Sequence, residues 1–178
     1  MSDVLDQPEA PVTPEHVAIY RSDYLPPDWL VPDVSLEFEL DPERSLVRST
    51  LTVARNGDHD RPLKLAGNGL EPLSVRVDHG DAPWTMVGET LVVELPGDSA
   101  KIEIAVEILP SANTKLMGLY ASSGMLCTQC EAEGFRRITY FLDRPDILSV
   151  YKVRIEADAK EAPLLLSNGN PVAAGKLA

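Results

Sequence analysis

The fold is legible in one stretch. Val34-Ser35-Leu36-Glu37-Phe38-Glu39-Leu40 leads into Asp41-Pro42-Glu43-Arg44, and Val47-Arg48-Ser49-Thr50-Leu51-Thr52-Val53 follows. Core-type side chains alternate with Glu, Arg and Thr on both sides of a proline-bearing turn. Period two puts one set of side chains on one face of an extended chain, which is the pattern of a half-buried strand. Pro42 presets an early turn position, and Asn56-Gly57 ends the second strand with a turn that tolerates positive φ.

The same grammar runs outward along the chain. Leu63 and Leu65 mark a short strand, and Leu73, Val75 and Val77 another. Asp78-His79-Gly80-Asp81 turns it, and Trp84 and Met86 begin the return. Gly88-Glu89 breaks again before Leu91 to Leu95. Ile102, Ile104, Val106 and Ile108 alternate with charged neighbours. Val153 and Ile155 mark a late strand, and Leu164 to Leu166 form one more apolar run. No segment of twelve or more residues carries a 3.6-residue period. Short strands divided by Gly, Pro, Asn and Asp predict an all-β fold, an antiparallel β-sandwich or barrel. The 15 prolines suit the turns and edges of such a fold.

Residues 1–16 carry four carboxylates, no Lys or Arg, and prolines at positions 8, 11 and 14. This composition predicts a flexible acidic lead-in, with one β domain over 17–178. At the other end, Ser167-Asn168-Gly169-Asn170-Pro171 is a turn signal with little chain after it. That predicts a domain cut from a longer chain.

Lys and Arg number 16 against 28 Asp and Glu, a net charge of −12. Such a chain lacks the basic footprint for nucleic acid, and an anionic membrane would repel it. No apolar run is long enough for a membrane helix. Met1 to Tyr20 has neither the basic residues nor the apolar core of a secretory signal. The expected setting is cytoplasmic, with free thiols.

Between Gly118 and Pro145 the alternation stops. The stretch holds Tyr120, Cys127, Gln129, Cys130, Glu131, Glu133, Arg136, Arg137, Tyr140, Asp143 and Arg144. A long ordered loop on a β scaffold is a usual place for a site. Cys127 and Cys130 form a CxxC with no second pair and no histidine at ligand spacing. Packing, redox and metal roles all stay open, with packing favoured. Gln129 and Glu131 lie two residues apart, on one side of an extended segment. A carboxylate and an amide oxygen so placed can receive an ammonium group. Composition by itself favours a solvated acidic loop at the same positions. No serine or cysteine triad, phosphate loop or HExxH occurs.

Several of these residues also carry a resemblance. Gly118-Leu119-Tyr120, the run from Leu126 to Asp146 and Leu166-Ser167-Asn168-Gly169-Asn170 resemble the N-terminal domain of the M1 family of zinc aminopeptidases. Tyr20 to Tyr24 and the strand from Val34 to Leu40 are similar to the opening of that domain. Many members have Asp-Glu-Pro where this chain has Asp143-Arg144-Pro145, and the latter resembles the bacterial branch.

The resemblance implies a saddle-like β-sandwich that precedes a thermolysin-like catalytic domain. It places the family's TQxE motif at Thr128-Gln129-Cys130-Glu131. Glu131 would then bind the substrate's free α-ammonium as a buried carboxylate, and Gln129 would assist and shape the first specificity pocket. The partners implied are peptide substrates, through their free N-terminus, and the catalytic domain of the same longer chain. The zinc motif and its general base are absent here. Zinc is therefore expected in the parent and none in this fragment, which should not hydrolyse peptides alone. The competing expectation is a free-standing, non-catalytic β-sandwich binding module that uses the same loop.

Overall fold

A computed structural model of the chain describes Ala18 and residues 20–177. The expected acidic lead-in over 1–16 lies outside the described residues. β1 (Trp29–Leu40) and β2 (Ser45–Arg55) form the hairpin read from the opening stretch, paired antiparallel from Phe38 opposite Val47 to Val34 opposite Leu51. Asp41 builds its turn: its Oδ1 accepts the N–H groups of Glu43 and Arg44 at 2.8 and 2.9 Å.

β1 begins five residues earlier than its alternation does. Pro32 sits where the ladder with β2 slips between Leu30 and Asp33. A proline cannot donate to a ladder, so it is tolerated at such an irregularity, and it hid the first part of the strand.

β3 (Leu63–Ala66), β4 (Pro72–Val77), β5 (Gly80–Asp81), β6 (Trp84–Val87), β7 (Thr90–Val93) and β8 (Ser99–Ile108) follow. All but β5 lie where the alternation put them, but the return on β4 is the short β5, read as turn, and β6 pairs with β7 instead. β9 (Gly118–Ser122), β10 (Met125–Gln129) and β11 (Val150–Ala157) complete the strands. Three sheets result. The large one has the order β11-β1-β2-β8-β4-β5, a second has β3-β7-β6, and β9 pairs with β10 alone. Among the described residues the helical segments are short 3₁₀ turns.

Val47, Leu51, Val53, Ile102 and Val106 from the large sheet and Leu63, Leu65, Leu91 and Val93 from the three-stranded sheet share one core cluster, each with no exposed surface. Each such side chain contributes roughly 1.5–3 kcal/mol relative to exposure. Two sheets closing on one apolar layer make the expected sandwich.

Three expectations are corrected. The sandwich is not wholly antiparallel, because β11 joins β1 in parallel, with Val34 beside Tyr151 and Leu36 beside Val153. Alternation marks a strand but not its direction, and the long connection after β8 permits a parallel return. Leu164 to Leu166 form no strand and stand exposed. An apolar run becomes a strand only against a ladder partner, and it has none among the described residues. The stretch from Gly118 is not one irregular loop, since it opens with the β9–β10 hairpin. Ser123 and Gly124, at φ of 51° and 78°, form that hairpin's two-residue turn. The hairpin was missed because Gly, Ser and Cys break its alternation.

Candidate functional site

β10 runs out of the hairpin and ends at Gln129, which lies opposite Gly118. The chain then turns through Glu131 to Gly134 and enters a 3₁₀ turn at Phe135–Arg137. Both Gln129 and Glu131 are exposed. The Nε2 of Gln129 donates to the backbone carbonyl of Glu131 at 3.3 Å. That bond ties the two residues into one unit and leaves the Gln129 Oε1 as an acceptor.

The carboxylates of this segment divide cleanly. Glu133 pairs with Arg136 at 3.0 Å. Asp143 accepts from the Arg136 backbone N–H at 3.1 Å and from its Nε at 2.9 Å, while the Arg136 Nη2 reaches the Asp143 carbonyl at 2.9 Å. Asp146 takes both arms of Arg144, at 2.9 and 2.6 Å, and the Tyr24 hydroxyl at 3.0 Å. The Arg144 guanidinium, and then the tyrosine hydroxyl, hold the Asp146 carboxyl below the usual aspartate range. The Glu131 carboxylate makes no hydrogen bond or ion pair among the described residues. An unpaired carboxylate beside an unpaired amide oxygen is an acceptor-only site, and its natural complement is a cation with several donors.

Deeper residues fix this surface to the sandwich. The Thr139 hydroxyl meets that of Ser49 on β2 at 2.7 Å, both fully buried. Tyr140 is buried and donates to the Leu70 carbonyl at 2.7 Å. Its ring lies where a Cβ on Gly67 would stand, 2.3 Å from its Cε1. Phe141 and Ala66 exchange two backbone bonds at 2.8 and 3.0 Å. The Arg144 Nη2 also reaches the Leu25 carbonyl at 2.9 Å.

Of the predicted loop residues, Gln129 and Glu131 thus meet at one surface. Glu133, Arg136 and Asp143 form an ion-pair cluster, Arg144 serves a separate tether, and Tyr140 belongs to the core. Tyr120 faces Cys127 across the hairpin. The roles of Ser49, Thr139 and Tyr24 were missed from sequence. Ser49 did stand out as a polar residue in the apolar row of β2.

One expectation for the loop needs adjustment, and the open choice for the cysteines narrows. The Glu131 carboxylate, expected to be buried, is open to solvent in this chain; only a covering segment can desolvate it. Cys127 and Cys130 are free thiols. Burial, with Asp143 adding to it, pushes the Cys130 thiol up, which opposes the thiolate that redox or metal chemistry requires. Among the described residues no three of His, Cys, Asp and Glu group as metal ligands. The described residues therefore do not form a zinc site.

Comparison with known proteins fits this geometry. The family model described as the peptidase M1 N-terminal domain matches residues 72–178. The chain is 46% identical over 169 residues to aminopeptidase N of Escherichia coli, and 47% identical over 163 residues to aminopeptidase N of Caulobacter vibrioides. Those matches cover 93% and 90% of this chain but 19% of each relative. A crystal structure of Legionella pneumophila aminopeptidase A in complex with aspartic acid superimposes with a TM-score of 0.80 at 31% identity, over 88% of this chain and 19% of that one. With its all-β sandwich, its loop surface and these matches taken together, the chain belongs to the peptidase M1 N-terminal domain family.

Proposed function

We propose that this chain is the domain of a zinc-dependent aminopeptidase that recognises the free N-terminus of a peptide, and that it does not hydrolyse peptides by itself. Glu131 accepts the substrate's α-ammonium through its carboxylate. Gln129 directs a second N–H through its Oε1 and borders the pocket for the first side chain. The observation that carries the reading is the contrast within the loop: Glu133, Asp143 and Asp146 are all committed to arginines, and Glu131 is not.

The chemistry follows from charge. An ammonium group brings three donors to an acceptor-only pair, and charge-assisted bonds of this kind are about twice as strong as neutral ones. A substrate with an internal or blocked amine leaves the carboxylate unpaired, and that penalty turns affinity into exopeptidase selectivity. The penalty requires the carboxylate to be desolvated. In this reading the rest of the longer protein covers it and supplies the metal and its bound water, as no metal-ligand cluster stands among the described residues.

The test is Glu131→Gln in the full-length peptidase. Loss of one charge-assisted contact worth roughly 1.5–3 kcal/mol lowers kcat/KM for unblocked peptides ten- to a hundredfold. Full retention of activity overturns the role of Glu131. The isolated chain should bind free amino acids only weakly, since its carboxylate is solvated. Tight binding there would instead support a free-standing binding module built on the same loop.

A further inference from the structure

The backbone that carries Gln129 and Glu131 is gripped at two points where no side chain intervenes. Gly134 donates its N–H to the Cys130 carbonyl at 2.7 Å. A Cβ on Gly134 would stand 2.7 Å from the Gln129 carbonyl oxygen, 2.8 Å from the Cys130 Cα and 2.8 Å from the Met117 Cγ. Two of those three atoms are backbone of the receptor segment and cannot swing aside. The φ of Gly134 is −99°, open to any residue, so it is space rather than conformation that asks for glycine.

The second point is Gly118, opposite Gln129 in the hairpin. A Cβ there would stand 2.5 Å from the Cβ of Arg137, and the φ of 76° at Gly118 also favours glycine. Arg137 closes the same 3₁₀ turn that Gly134 opens. The turn therefore clasps the end of the hairpin from both sides of Gln129. The turn is itself anchored. The Arg136 carbonyl accepts the Asn68 N–H at 2.9 Å, and Phe135 packs edge-on against Phe141 with centroids 4.9 Å apart.

We infer that Gly134 is a positioning residue for the ammonium receptor: its missing side chain lets the turn seat against Gln129 and Cys130, and that seat sets where the Glu131 carboxylate stands. The inference rests on the reading of Glu131 as the ammonium acceptor. Gly134 touches no substrate and acts through the backbone of residues 129–131.

The experiment is a double-mutant cycle in the full-length peptidase, with Gly134→Ala, Glu131→Gln and the pair. Gly134→Ala should lower kcat/KM for unblocked peptides roughly ten- to a hundredfold, the scale of a small misplacement, in a protein that still folds with a thermal midpoint lowered by the clash. In the pair the loss should be no greater than in Glu131→Gln alone, because both changes remove the same contact. Multiplied losses would mark a general structural effect and overturn the inference, as would full activity in Gly134→Ala. Restoration of Gly134→Ala by an added Met117→Ala would also overturn it, by placing the conflict on a flexible side chain. If Gly134→Ala does not fold, Gly118→Ala, which adds backbone strain at a φ of 76° to the clash with Arg137, enters the same cycle from the other side of Gln129. Failure of both to fold would make the glycines purely structural and overturn the inference. If Glu131→Gln is itself fully active, the reading of the α-amine site fails instead, whatever Gly134→Ala does.

Discussion

The pairing of β2 with β8 and the segment from Gly118 to Asp146 lie in one small domain and are built by opposite rules. Ten consecutive residues of β2 face β8, and apart from Ser45 and Ser49 the buried residues of the two strands are apolar. Its stability is spread over many equivalent contacts, so no one side chain decides its position. The loop segment has a few single attachments instead: Thr139 to Ser49, Tyr140 to Leu70, Arg136 to Asp143, and Arg144 to Asp146 and Leu25. Each is specific in geometry and reaches a different part of the fold. A surface that must present one carboxylate in one place is better fixed by a few directional pins than by an apolar layer, which is non-directional.

If that contrast is right, removing a buried pin should cost as much as removing a core residue. Tyr140→Ala deletes a fully buried ring and opens the space beside Gly67. It should destabilise the domain by about 3–5 kcal/mol, read as a drop in the urea midpoint. A loss below about 1 kcal/mol would show that the loop is not fastened through Tyr140. Thr139→Val is nearly isosteric and leaves the buried Ser49 hydroxyl without its partner, at a cost of about 1–3 kcal/mol. Thr139→Ser keeps a hydroxyl and should recover most of it. An equal loss in both variants would make the pin a matter of packing and erase the contrast with β2–β8.

The smallest effect belongs to the outer tether. The folded-state pKa of Asp146 is depressed by Arg144, so the tether's stabilisation is present above the ordinary aspartate value of about 3.9 and is lost as pH falls through the lower folded value. Asp146→Asn should therefore flatten the acid end of the stability profile by the same small amount that it lowers stability at neutral pH, since exposed pairs contribute little. An unaltered acid limb would mean that the tether does not form in solution.

Much of the sandwich was legible in the chain. The rows Val34-Leu36-Phe38 and Ile102-Ile104-Val106 can be read without any partner, because burial on one face imposes period two on the strand itself. Pro32 concealed the start of β1 for a local reason. The parallel pairing of β11 could not be read, because the alternation of Val153 and Ile155 is the same in either direction. In the loop, Gln129 and Glu131 could be nominated by spacing and by family likeness. That Glu131 alone lacks an arginine could not, since Arg136 and Arg144 stand within reach of several carboxylates in the sequence.

The sequence by itself determined most strands of the sandwich, most of their turns and the residues able to receive a cation. These depend on neighbours along the chain, where a two-residue period and a proline act locally. The tertiary structure decided which carboxylates are spent on ion pairs, that Ser49 meets Thr139, and that Gly134 is a contact point rather than a flexible turn. Those outcomes depend on atoms brought together from distant positions, and no local period records them.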